Sequence, residues 1–204
     1  MTSWAGDFHA LRARVVLGAW LLAPAAALAH EEKGQAAGFL AGLAHPVSGI
    51  DHVLAMIAVG LWGAVLGVPA IWVLPVAFPL VMALGGLLGL IGVPLPGVEI
   101  GIAVSAVVLG AMVAFEIRPP IAIAAAIVAF FAVFHGHAHG RELPEGASAL
   151  LYSVGFVVAT GLLHACGIVL GVAHRWSAGR QVVRAAGGSV AIAGLFFLWR
   201  AVAR

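Results

Sequence analysis

The sequence predicts an all-α polytopic membrane protein, with six transmembrane helices following a cleavable N-terminal signal peptide, hence seven hydrophobic helices in the precursor. Three observations predict it. Hydrophobic residues fill 63% of the 204 positions and charged residues only 9%, against about 25% charged in a typical soluble domain. With a mean hydropathy of +1.13, the chain lacks the charges needed to coat a water-soluble surface. The apolar runs recur at lengths near the ~20 residues that cross a bilayer. Finally, 27 glycines suit helices that pack closely in lipid, where small residues let backbones approach.

The first element is residues 1–29, read as a signal peptide. Arg12 and Arg14 form a positive region, Val15 to Ala26 is a short apolar stretch interrupted by Pro24, and Ala27-Leu28-Ala29 is an A-x-A cleavage site. A retained seventh helix is the alternative. Cleavage leaves one domain, residues 30–204, beginning at His30, where a free α-amine beside an imidazole is a candidate metal chelate. Residues 36–44 read as a short amphipathic or re-entrant lead-in.

Six apolar segments follow, at about 47–66, 70–91, 98–115, 119–138, 147–173 and 182–203. Their boundaries are marked by Gly67-Val68-Pro69, by GVPLPG at 92–97, by EIRPP at 116–120, by GRELPEG at 140–146 and by HRWSAGR at 174–180. If the N-terminus is periplasmic, Arg118, Arg175, Arg180 and Arg184 are cytoplasmic, and Lys33, Arg141, Arg200 and Arg204 are periplasmic. Four against four gives no positive-inside bias, so orientation rests on the signal peptide. Six spans also divide into two three-helix halves, and an odd number per half gives inverted topology.

Composition excludes several functions. The net charge of +2 is scattered, so there is no nucleic-acid footprint. The single cysteine, Cys166, forms no intrachain disulfide and no CxxC metal motif, and is read as a packing residue. No nucleotide-binding P-loop is present, so the chain hydrolyses no ATP and no ATPase partner is evident. The expected partners are a divalent metal ion and the lipid bilayer, with a homo-oligomer allowed. The ion is cargo, and no cofactor is expected.

Ionisable groups within membrane helices are costly and mark function. Here they fall in two runs. In His45-Pro46-Val47-Ser48-Gly49-Ile50-Asp51-His52, Pro46 fits the first turn of a helix capped by His45. The seven-residue spacing then aligns His45 with His52, and Met56 continues that face. Asp51 is a ligand, or the group that orients a ligating imidazole. In Phe134-His135-Gly136-His137-Ala138-His139-Gly140-Arg141-Glu142, helical spacing puts His135, His139 and Glu142 on one face, with His137 nearly opposite. Two imidazoles and a carboxylate suit nickel, cobalt or zinc. The start of span 1 and the end of span 4 lie on the same side of the membrane, so the runs can converge, and His164 in span 5 can continue the path inward. The expected metal residues are therefore His45, Asp51, His52, His135, His139 and Glu142, with His30, Met56, His137 and His164 as further candidates. His9 belongs to the signal peptide and His174 to an interface. Glu99 and Glu116 are read as solvated flanks, and Trp62, Trp72, Trp176 and Trp199 as interfacial anchors or packing.

These runs resemble the two signatures of the HupE/UreJ family of nickel/cobalt transporters. HPVSGIDHVLAMIAVGLW at 45–62 carries H-x5-D-H at His45, Asp51 and His52. FAVFHGHAHGRELP at 131–144 carries F-H-G-x-A-H-G-x-E, with His137 at a variable position, and GFVVATGLLHACGI at 155–168 is similar to the family's fifth span. The resemblance implies a signal peptide, six spans and nickel or cobalt uptake, serving hydrogenase, urease or cobalamin synthesis. With no P-loop, the expected mode across the bacterial inner membrane is facilitated diffusion, or else proton-coupled transport with Asp51 or Glu142 as the relay. Two other readings stand beside it: an intramembrane zinc hydrolase using Asp51 or Glu142 to activate water, and a non-transporting accessory subunit of a metalloenzyme complex.

Overall fold

The computed structural model describes residues 38–143 and 146–203. The segment expected to be a signal peptide, and His30, lie outside the described residues. The described chain is all-helical: α1 (Gly38–Ser48), α2 (Ile50–Leu66), α3 (Ala70–Leu90), α4 (Val98–Ala114), α5 (Ile121–Arg141), α6 (Ala149–Gly171) and α7 (Ser177–Val202), with a short 3-10 turn at Val172–Arg175. Four of these helices are long and apolar enough to cross a membrane, or five if α1 and α2 form one broken span, while α4 is a shorter apolar helix. This is a multi-pass helical membrane protein.

The first apolar segment departs from its expected form. It is two helices meeting at 83° rather than one. Gly49 adopts extended backbone between them, and α2 begins from its carbonyl, which accepts from the Val53 N–H at 3.0 Å. Pro46 therefore sits in the last turn of α1, not in the first turn of a spanning helix. His45 and His52 do not share one helical face, because each belongs to a different arm of the bend. The fourth segment is also longer than expected, since α5 continues through His139 to Arg141 before Glu142 caps it.

Three close helix pairs organise the bundle: α2 with α6, α3 with α5, and α4 with α7. Glycine makes each possible. A Cβ on Gly136 would overlap the Met82 carbonyl and one on Gly140 the Gly86 carbonyl, so α3 and α5 touch backbone to backbone. A Cβ on Gly60 would likewise strike the His164 carbonyl of α6. Exchanging α2–α4 with α5–α7 carries the first pair onto the second and the third onto itself, as an inverted repeat would. The contacts of α2 with α3 and α4 have no counterparts of similar extent, so the exchange is partial.

Two expectations about single residues change. Cys166 is exposed on the outside of α6, because that helix turns Thr160, His164 and Gly167 inward instead. Glu116 is not a free solvated flank: it forms a two-pronged ion pair with Arg180, whose Nε donates at 2.6 Å and whose second nitrogen also contacts the carboxylate. The hydrogen bond and charge of Arg180 hold the Glu116 carboxyl below the usual carboxylate range. Trp62 is fully buried and donates from Nε1 to the Ile117 carbonyl at 2.9 Å, so it packs. Trp72, Trp176 and Trp199 are exposed on the bundle surface.

Candidate metal centre

The end of α1, the start of α2 and the end of α5 converge at one end of the bundle. His45 is carried by α1, Asp51 and His52 by the first turn of α2, His135 and His139 by the last turns of α5, and Glu142 by its C-cap. The His45 Nε2–H donates to Glu142 Oε2 at 2.8 Å, and His139 Nδ1 lies 3.8 Å from that oxygen. One ligand atom from each of His45, His139 and Glu142 falls within 4.8 Å of the others. The rim is open to water at Glu142 (side chain 57% exposed) and closes at His139 (7%).

A second layer lies about one helical turn deeper. The His52 ring centroid is 4.4 Å from that of His139 and 4.9 Å from that of His135. Asp51 Oδ1 accepts from both the His52 backbone N–H and its Nδ1–H, each at 2.9 Å. The carboxylate thereby fixes the tautomer and leaves the buried Nε2, which has no partner among the described residues, with its lone pair free. Gly49 permits this, since a Cβ there would press on Asp51 Oδ1 and on the His52 ring.

His135 is fixed the same way by a residue that the sequence reading missed. Ser105 of α4 donates its hydroxyl to the Ile102 carbonyl at 2.6 Å and lies 2.9 Å from His135 Nε2. A hydroxyl has one proton, so Ser105 must accept from a protonated Nε2. That leaves Nδ1 of His135 bare, buried and unpartnered. The available signal was Ser105 itself, the one hydroxyl in a helix otherwise apolar beyond Glu99.

The remaining candidates are placed less centrally. His137 is buried, but its Nε2–H donates to the Val93 carbonyl at 2.7 Å, tying α5 to the α3–α4 turn. Met56 is fully buried in the apolar core. Glu142 is the cap after α5 rather than a residue on its helical face, and it reaches the cluster from there. His164 is buried in α6, with the Phe78 ring 5.4 Å from it and 5.4 Å from His135. Tyr152 and Phe156, which carry no motif that would single them out, pack their rings 5.7 Å from His45 and 4.4 Å from His139.

The sequence profile of the family described as HupE / UreJ protein matches residues 18–197, most of the chain. The chain belongs to the HupE/UreJ family. A HupE/UreJ relative named Protein HupE, from Rhizobium leguminosarum bv. viciae, is 50% identical over 172 residues, which cover 84% of this chain and 90% of that protein. No solved structure matches.

Proposed function

We propose that this HupE/UreJ protein carries Ni²⁺, with Co²⁺ as a second substrate, across the inner membrane through a six-helix transport domain with α4 as its shortest span. The 17 residues of α4 reach about 26 Å at 1.5 Å per residue, close to the ~30 Å hydrocarbon core. One observation carries the reading: His45 and, from a second stretch 94 residues on, His139 and Glu142 bring three ligand atoms within 4.8 Å at a water-accessible rim. Imidazole and carboxylate together suit borderline divalent metals, and nickel and cobalt accept the same set.

The ion enters from the periplasm and takes the place of the hydrogen bond between His45 and Glu142, the His45 proton shifting to Nδ1 as Nε2 becomes the ligand. Capture requires imidazole nitrogens free of protons and an ionised carboxylate. His52 and His135 present bare nitrogens one turn deeper and receive the ion next. Passage runs down the gradient, drawn by cytoplasmic metal-binding proteins of hydrogenase, urease or cobalamin maturation.

Uptake of ⁶³Ni²⁺ and ⁵⁷Co²⁺ into proteoliposomes tests this, with wild type compared with His52→Ala and His139→Ala. Uptake above empty vesicles that both substitutions abolish is the expected result. Equal rates in loaded and empty vesicles would remove transport. Unchanged rates in the variants would remove the site assignment alone.

A further inference from the structure

Beyond the rim cluster, α6 pairs His164, already a candidate to continue the path, with Thr160, which nothing so far has used. Thr160 and His164 are 0% and 1% exposed. The Thr160 hydroxyl and both His164 ring nitrogens have no hydrogen-bond partner among the described residues. Spaced four residues apart, they share one face of the helix. Buried polar groups are nearly always paired, so each exception calls for an explanation.

A third polar group completes the place. The Pro75 carbonyl of α3 approaches the His164 imidazole without forming a hydrogen bond of standard geometry. In a helix this carbonyl would accept from the residue four positions on, but that residue is Pro79, which has no N–H to give. The proline pair thus frees a backbone oxygen inside the bundle. In membrane carriers such irregular backbone lines ion sites near the bilayer midplane.

Depth follows from helix geometry. Phe156 touches His139 near the rim, and His164 lies eight residues further along α6, about 12 Å deeper. The Phe78 ring packs 5.4 Å from each of His135 and His164.

We propose that His164, the Pro75 carbonyl and the Thr160 hydroxyl form an inner site for the same divalent ion. This rests on the transport reading above. The donors, one neutral imidazole nitrogen and two neutral oxygens, carry no formal charge, in contrast to the rim site with its carboxylate. The inner site therefore holds the ion more weakly than the rim does and passes it on, as conduction through successive sites requires.

The test uses the full chain in lipid nanodiscs and equilibrium dialysis against ⁶³Ni²⁺ alone. His139→Ala weakens the rim site and leaves a lower-affinity residual site. Adding His164→Gln lowers that residual affinity by about tenfold or more, and adding Pro79→Ala, which returns an N–H to the Pro75 carbonyl, lowers it severalfold. Residual binding that neither addition changes, in protein whose melting temperature shows it folded, overturns the inner site. So does the absence of residual binding in folded His139→Ala. Should His164→Gln not fold, Pro79→Ala in the same background decides. Failure of the wild type to bind Ni²⁺ at all would instead remove the transport reading on which the inner site rests.

Discussion

Ser105→Ala is the most incisive perturbation of the centre, because it touches no ion and no rim residue. Ser105 is fully buried. Its hydroxyl accepts from His135 Nε2–H at 2.9 Å while donating to the Ile102 carbonyl at 2.6 Å. Removing it has two consequences. The His135 N–H loses its acceptor in a site closed to water, which costs about 1–3 kcal/mol of stability. The imidazole is also freed to move its proton to Nδ1, the nitrogen left without a partner. Losing a partner that orients a ligating histidine typically weakens metal affinity about 10–100-fold, equivalent to about 1.4–2.8 kcal/mol. The assay is the concentration dependence of ⁶³Ni²⁺ uptake in proteoliposomes, read beside the melting temperature. Ser105→Ala raises KM by at least about tenfold, and Ser105→Thr, which keeps the hydroxyl, restores most of it. An unchanged KM in Ser105→Ala would refute the role of His135 Nδ1. A Ser105→Thr variant as impaired as Ser105→Ala would show that shape, not the fixed tautomer, matters at this position.

Other perturbations address separate parts of the molecule. Glu142→Gln removes the only carboxylate of the rim triad and raises the KM for Ni²⁺ uptake by about tenfold or more; an unaltered KM would separate Glu142 from capture. Gly140→Ala drives a methyl into the Gly86 backbone and lowers stability by about 1–3 kcal/mol through overpacking. Gly188→Ala, which meets nothing within 4 Å, is the control, and a thermal melt in nanodiscs distinguishes them. The Glu116–Arg180 pair gives a pH signature. Its carboxyl titrates below the ordinary value of 4.5 when folded, so its stabilisation is fully present above that value and is lost as pH falls through the depressed one. Melting temperature of the wild type therefore falls more steeply below pH ~4.5 than that of Glu116→Gln, and parallel curves would contradict the assignment.

Local chemistry was legible in the sequence wherever it was written into consecutive residues. Apolar runs located α3 to α7 to within a few positions, since a bilayer demands continuous helices with internally paired backbones. His45, Asp51 and His52, and seven of the nine residues from Phe134 to Glu142, matched family signatures, and the side-of-membrane argument placed both runs at one end of the bundle. The bend at Gly49 was not legible, because one glycine in an apolar stretch is compatible with a straight helix. Its extended conformation is selected only by packing: Gly42 of α1 meets the Tyr152 backbone of α6 while Gly60 of α2 meets the same helix further along.

The sequence by itself determined that this chain lives in a bilayer and that imidazoles and carboxylates occur in two compact runs, because transfer free energy and helical spacing depend on residues near one another in the chain. Only the tertiary structure decided which nitrogen each histidine presents. Asp51 fixes His52 from the adjacent residue, but Ser105 fixes His135 across 30 residues, and His137 is drawn to Val93 instead. Likewise, Pro75 and Pro79 announce a break in helical pairing, but that the freed oxygen lies beside His164 follows from how α3 is set against α6. A tautomer or a freed carbonyl acquires a role only from what another helix brings to it, and glycine-lined packing of α2 on α6 and α3 on α5 sets those approaches.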